Sequence, residues 1–119
     1  MVLITDKELA QYWIKYCALR IKGNLENEFF EMSEEVYTLA EQNPIRFCSV
    51  VVEILSHTQD KKILSIFGVG PMENFINKFP SEALSFIKSY DFHRERLQTV
   101  LFSVDQEVIS QSEWENLLS

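Results

Sequence analysis

Asn43-Pro44-Ile45-Arg46-Phe47-Cys48-Ser49-Val50-Val51-Val52-Glu53-Ile54-Leu55-Ser56 is the stretch on which the fold turns. Asn43 offers a side-chain cap, and Pro44 takes the first helical position, where its missing N–H costs nothing and its fixed φ is already helical. Behind them Ile45, Phe47, Cys48, Val50, Val51, Val52, Ile54 and Leu55 leave little polar surface. Despite its β-branched run, a helix this apolar all round belongs at the centre of a helical domain.

Working toward the N-terminus, the same Asn-Pro pair closes a helix expected from about Leu25 to Gln42. Leu25, Phe29, Met32, Val36 and Leu39 alternate steps of four and three and so share one face. At about 100° per residue, Glu28, Glu31, Glu34 and Glu35 fall on the opposite arc, with Glu26 and Glu41 at its margins. Further back, Thr5-Asp6-Lys7-Glu8 reads as a capping box, and Leu9, Tyr12, Trp13, Tyr16 and Cys17 form an apolar stripe. Gly23 suits the left-handed stop that ends this first helix.

Toward the C-terminus, Asp60 is the expected cap of a short helix carrying Ile63, Leu64, Ile66 and Phe67, with Gly68 as its stop. Gly70-Pro71 starts another helix, with Met72, Phe75 and Ile76 facing in. Pro80 opens the helix of Ala83, Leu84, Phe86, Ile87 and Tyr90. Asp91 is the expected cap for Leu97, Val100 and Leu101, and Ser110 for Trp114, Leu117 and Leu118. The expected fold is all-α: one domain over residues 1–119, with six to eight short helices packed as antiparallel pairs. The helices opened by Pro44 and Pro80 lie 36 residues apart, a spacing like that of HEAT-type stacked helix pairs.

Bulk properties fit one globular domain: 119 residues, 46% hydrophobic and 13% aromatic. Met1-Val2-Leu3-Ile4-Thr5-Asp6 has no basic leader region, and no apolar run reaches the roughly 18–20 residues of a membrane span. Cys17 and Cys48 lie among apolar helical neighbours and read as free thiols of a reducing cytoplasm. A disulfide between them is compatible with the sequence, and nothing in it requires one.

The charge is uneven. The formal net charge is −7, and residues 24–45 contain six glutamates (Glu26, Glu28, Glu31, Glu34, Glu35 and Glu41) with no Lys or Arg. The tail adds Asp105, Glu107, Glu113 and Glu115. A pI near 4.8 leaves no basic stripe for nucleic acid. The base-free glutamates read in two ways, as a solubilising face or as a dock for a basic partner.

Chemistry is hard to find elsewhere. Gly68-Val69-Gly70-Pro71-Met72-Glu73 lacks the third glycine and the Lys-Ser or Lys-Thr of a phosphate loop. Pro71 also removes an amide donor there, and Glu73 adds negative charge, so a tight helix–turn–helix is the better account. His57 and His93 share no ligand-spaced partner, so no metal or cofactor is expected. His57 with Asp60 is a chance surface pairing, and His93 among Asp91, Arg94, Glu95 and Arg96 is a solvated face. Glu31 and Glu35, on a solvated face, lack the environment of an acid–base pair. Trp13, Tyr12 and Tyr16 at helical spacing read as core.

Four features together resemble a known family: Trp13-Ile14 in the first helix, Asn43-Pro44 opening an apolar helix, the run Phe67-Gly68-Val69-Gly70-Pro71-Met72-Glu73-Asn74-Phe75, and Phe92-His93-Arg94 before Leu97. The family is one of small all-helical bacterial proteins with a Gly-Pro-(Leu/Met)-Glu turn and no assigned enzymatic activity. The resemblance runs from about Leu9 to Leu118, and only the Gly-Pro-Met-Glu region is specific. Proteins of this type look like immunity proteins encoded beside polymorphic or contact-dependent growth-inhibition toxins, many of which are nucleases with basic substrate sites. The resemblance implies a cytoplasmic, non-enzymatic protein whose partner is a cognate toxin C-terminal domain rather than nucleic acid, membrane or a small-molecule substrate. The expected partner-binding residues are Glu28, Glu31, Glu34 and Glu35, extended by Asp105 and Glu107. Gly68, Gly70, Pro71 and Glu73 are expected to build a structural turn in which Glu73 caps its helix and the glycines supply backbone freedom. The alternative is a HEAT-like helical adaptor for another bacterial protein. The heavy glutamate run departs from the family pattern, at a place where partner specificity could reside.

Overall fold

The structure, a computed structural model, describes residues 4–25 and 27–119. Among the described residues eight α-helices form: α1 (Asp6–Ile21), α2 (Phe30–Gln42), α3 (Pro44–His57), α4 (Lys61–Phe67), α5 (Glu73–Lys78), α6 (Pro80–Ser89), α7 (Arg94–Phe102) and α8 (Gln111–Leu118). A π-helical segment, Gly68–Met72, joins α4 to α5 without a break. The fold is all-α, with no strand among the described residues.

Local signals set most of the boundaries. The Thr5 hydroxyl accepts from Glu8 N–H at 3.1 Å while Glu8 Oε1 accepts from Thr5 N–H, a complete capping box. Asn43 Oδ1 accepts from Arg46 N–H ahead of Pro44, and Asp60 Oδ1 accepts from both Lys62 and Ile63 N–H. Gly23 takes φ +98° after α1, the left-handed conformation expected of it.

α3 is the central helix. Phe47, Val50, Val51, Ile54 and Leu55 are fully buried, and it packs against α1, α2 and α6. Its outer side departs from the all-round apolar expectation, with Ile45, Ser49, Ser56 and His57 exposed. An aromatic cluster knits α1, α3, α4 and α5: Phe47 stacks on Phe67 at 5.8 Å and meets Phe75 at 4.8 Å, and Trp13 meets Phe67 edge-on. Such ring pairs contribute roughly 0.5–1.5 kcal/mol each beyond area burial. Trp13 and Tyr16 are core residues as expected, and Tyr12 stacks on Phe29 at the core's edge. Elsewhere α4 packs on α7, α5 on α6 and α7 on α8. The radius of gyration is 13.6 Å, close to the roughly 13.5 Å of a compact chain of this length.

Three local expectations give way. α2 begins at Phe30 rather than Leu25, because Asn27 captures the backbone first. Its amide donates to the carbonyls of Tyr16 and Asn24, and its Oδ1 accepts from Phe29 N–H at 2.9 Å. Asp91 does not cap α7; the helix starts after His93, whose backbone is left-handed at φ 46°. Gly68 does not stop α4, because the chain continues through the π-helical segment into α5.

Candidate functional site

Glu28, Glu31, Glu34 and Glu35 are all exposed, but they divide between two elements. Glu31, Glu34 and Glu35 stand on the solvent face of α2, opposite buried Ser33, Val36, Leu39 and Ala40. Glu28 lies in the turn before the helix and therefore leaves the arc assigned to it. Glu26 lies outside the described residues. Among the described residues no Lys, Arg or His comes within ion-pairing distance of these four carboxylates, whereas Asp6, Glu53 and Glu113 do have such partners. Glu41 accepts from Asn74 Nδ2 at 3.3 Å.

A cavity of about 450 Å³ opens where the loop meets α2, lined by Asn27, Glu28, Phe30 and Glu31. Phe30 is 45% exposed although its ring sits 6.2 Å from that of buried Tyr16. Sequence reading missed this cavity. It arises because Asn27 folds the loop back onto α1, which no periodicity reports.

The tail acids lie on a different element. Asp105 and Glu107 occupy the connection between α7 and α8 and are exposed. Asp105 is tied in through its backbone, its N–H donating to Glu73 Oε1 at 2.8 Å. Glu113 pairs with Lys88 at 3.6 Å, so it is partly neutralised.

The Gly68–Glu73 region is architectural, by a different device from the turn expected. Gly68 and Gly70 are helical, and Gly23 is the one described glycine with positive φ. Their lack of a side chain serves close approach: a Cβ on Gly68 would run into the Val100 carbonyl and the Ser103 side chain, and one on Gly70 into the Tyr37 hydroxyl. Pro71 sits inside the widened turn, where the usual clash of its ring with the carbonyl four residues back is eased. Glu73 holds the α7–α8 connection rather than capping its own helix.

Groups with altered acidity are structural as well. Burial pushes the Cys17 thiol up to about 12 and Cys48 to about 11, so both stay neutral and weakly nucleophilic. Both are free. Burial also raises Tyr37, followed by the influence of Tyr16 and Cys17. His57 Nδ1 lies 2.7 Å from the Glu53 carbonyl and 3.5 Å from the Glu53 carboxylate; its neighbour is Glu53 and not Asp60. Among the described residues no three His, Cys, Asp or Glu side chains stand together as an ion site, and no helix is long and apolar enough to cross a membrane. Searches of protein-family models, of curated proteins and of solved structures find no match to this chain.

Proposed function

We propose that this protein is an immunity protein that binds a cognate toxin domain in the cytoplasm and covers its basic substrate site. One observation carries the reading: four exposed glutamates in an eight-residue span, none with a cationic partner among the described residues. Unneutralised like charges crowded together, as on α2, cost stability, so a cationic partner relieves them on binding. The resemblance carried by Trp13-Ile14, Asn43-Pro44 and Gly70-Pro71-Met72-Glu73 supports the same class. Toxin nucleases bind phosphates through basic sites, and the α2 carboxylates would occupy those positions in their place. The 36-residue spacing of the helices opened by Pro44 and Pro80 supports a second reading, a HEAT-like adaptor for another bacterial protein.

Co-expression with the product of the neighbouring upstream gene tests the proposal. Restored growth together with co-purification of the two chains is the expected result. Unrelieved toxicity, with both proteins present and folded, would overturn it and leave the adaptor reading.

A further inference from the structure

We infer that the cavity at the start of α2 receives an arginine side chain of the protein partner, with its guanidinium between Glu28 and Glu31 and its stem against the Phe30 ring. This deepens the reading of the α2 face as a partner surface and rests on it.

The cavity, about 450 Å³, lies within the roughly 300–1,000 Å³ of ligand sites. Its one apolar lining side chain is the Phe30 ring, which is exposed. Its polar chemistry is one-sided. Both Asn27 amide protons are spent on the Tyr16 and Asn24 carbonyls, leaving the carboxylates of Glu28 and Glu31 as the principal free polar groups.

Those features select the occupant. An anion would meet two carboxylates. A purely apolar group would strip water from both without replacing their hydrogen bonds. A metal ion lacks a third ligand, since no three acidic, His or Cys side chains gather among the described residues. A cation with a flat, weakly hydrated face and several donors satisfies both the ring and the carboxylates, and arginine does this better than lysine. Neighbouring rings already carry cations: the Arg20 guanidinium lies 5.7 Å from the Tyr16 centroid and donates to the Tyr16 hydroxyl at 2.8 Å, and Lys15 Nζ lies 5.8 Å from the Tyr12 and Phe29 centroids.

Two blocked tetrapeptides, acetyl-Ala-Arg-Leu-Ala-amide and its lysine counterpart, titrated into ¹⁵N-labelled protein at low salt, provide the test. The arginine peptide should shift the amides of residues 27–32 saturably and bind at least threefold more tightly than the lysine peptide. Phe30→Ala and Phe30→Leu should each remove that preference; the leucine variant keeps the apolar volume, which guards against a folding effect. Glu28→Gln with Glu31→Gln should abolish binding of both peptides. Equal binding of the two peptides to the native protein, spread over Glu31, Glu34 and Glu35, would overturn the arginine cavity while leaving the acidic dock standing. Shifts confined to other helices would overturn it as well, and the dock itself would still be decided by the growth-rescue experiment.

Discussion

Gly68 and Gly70 stand two residues apart, yet they answer to different obstacles. At Gly68 the obstruction is backbone, the Val100 carbonyl, which α7 cannot withdraw without loosening its packing on α4. Gly68→Ala should therefore cost about 1–3 kcal/mol, read as a lowered urea midpoint. At Gly70 the obstruction is one side chain, Tyr37, chiefly through its hydroxyl. Gly70→Ala should also destabilise, and Tyr37→Phe should recover most of that loss while doing nothing for Gly68→Ala. A double-mutant cycle with no coupling at Gly70 would show that the Tyr37 contact is not the cause. The buried thiol of Cys17 makes a second residue-scale prediction. Its folded pKa of about 12 lies above the ordinary 9.0, so the folded state holds the proton more tightly. That contribution is complete below about pH 9 and is lost as pH rises toward 12. The melting temperature should fall across this window. Cys17→Ala should fall less steeply there, even though its melting temperature at pH 7 is lower; parallel slopes would count against the thiol.

At the scale of elements, the described chain is held at several points by single side chains that reach across helices. Arg94 is the clearest: it donates to the carbonyls of Ile87, Tyr90 and Leu117 at 2.7, 3.3 and 3.2 Å, fastening the end of α6 and the end of α8 to α7. Lysine is a point donor and cannot span three acceptors. Arg94→Lys should lower stability by roughly 1–3 kcal/mol, and hydrogen exchange should locate the loss in residues 111–118 with α1–α3 unchanged. Uniformly faster exchange would mean that Arg94 acts on the whole core and not on α8. Anchors of this kind explain which elements were legible in the sequence. The start of α3 follows from Asn43 and Pro44, and that of α4 from Asp60, because these caps act within three residues of themselves. The start of α2 was misjudged because the 3–4 spacing of Leu25 with Phe29 looks helical until Asn27 bonds to Tyr16, eleven residues back. The π-helical segment was hidden for the same reason. Gly-Val-Gly-Pro reads as a turn in isolation and becomes a continuous helix only where α7 and Tyr37 demand bare backbone.

For the whole molecule, the distribution of charge matters more than its total of −7. The acids of residues 28–35 and those of 105–107 lie on different elements, and the first group adjoins a cavity. Steering of a basic partner should accordingly be divided unequally. Neutralising Glu28, Glu31, Glu34 and Glu35 to glutamine should slow association with the proposed toxin domain on the order of tenfold at low salt and flatten its salt dependence. Asp105→Asn with Glu107→Gln should change the rate by less than about twofold, in keeping with rim charges on another element. The same four substitutions should also leave the free protein slightly more stable. Glu31 has like-charged neighbours at i+3 and i+4 on α2, and relieving them should raise the melting temperature by roughly 1–3 °C. Opposite signs in the two measurements, slower association with higher stability, would mark a face kept for binding rather than for folding. A fall in both would assign these glutamates to the fold, and a fall in neither would assign them to solubility alone.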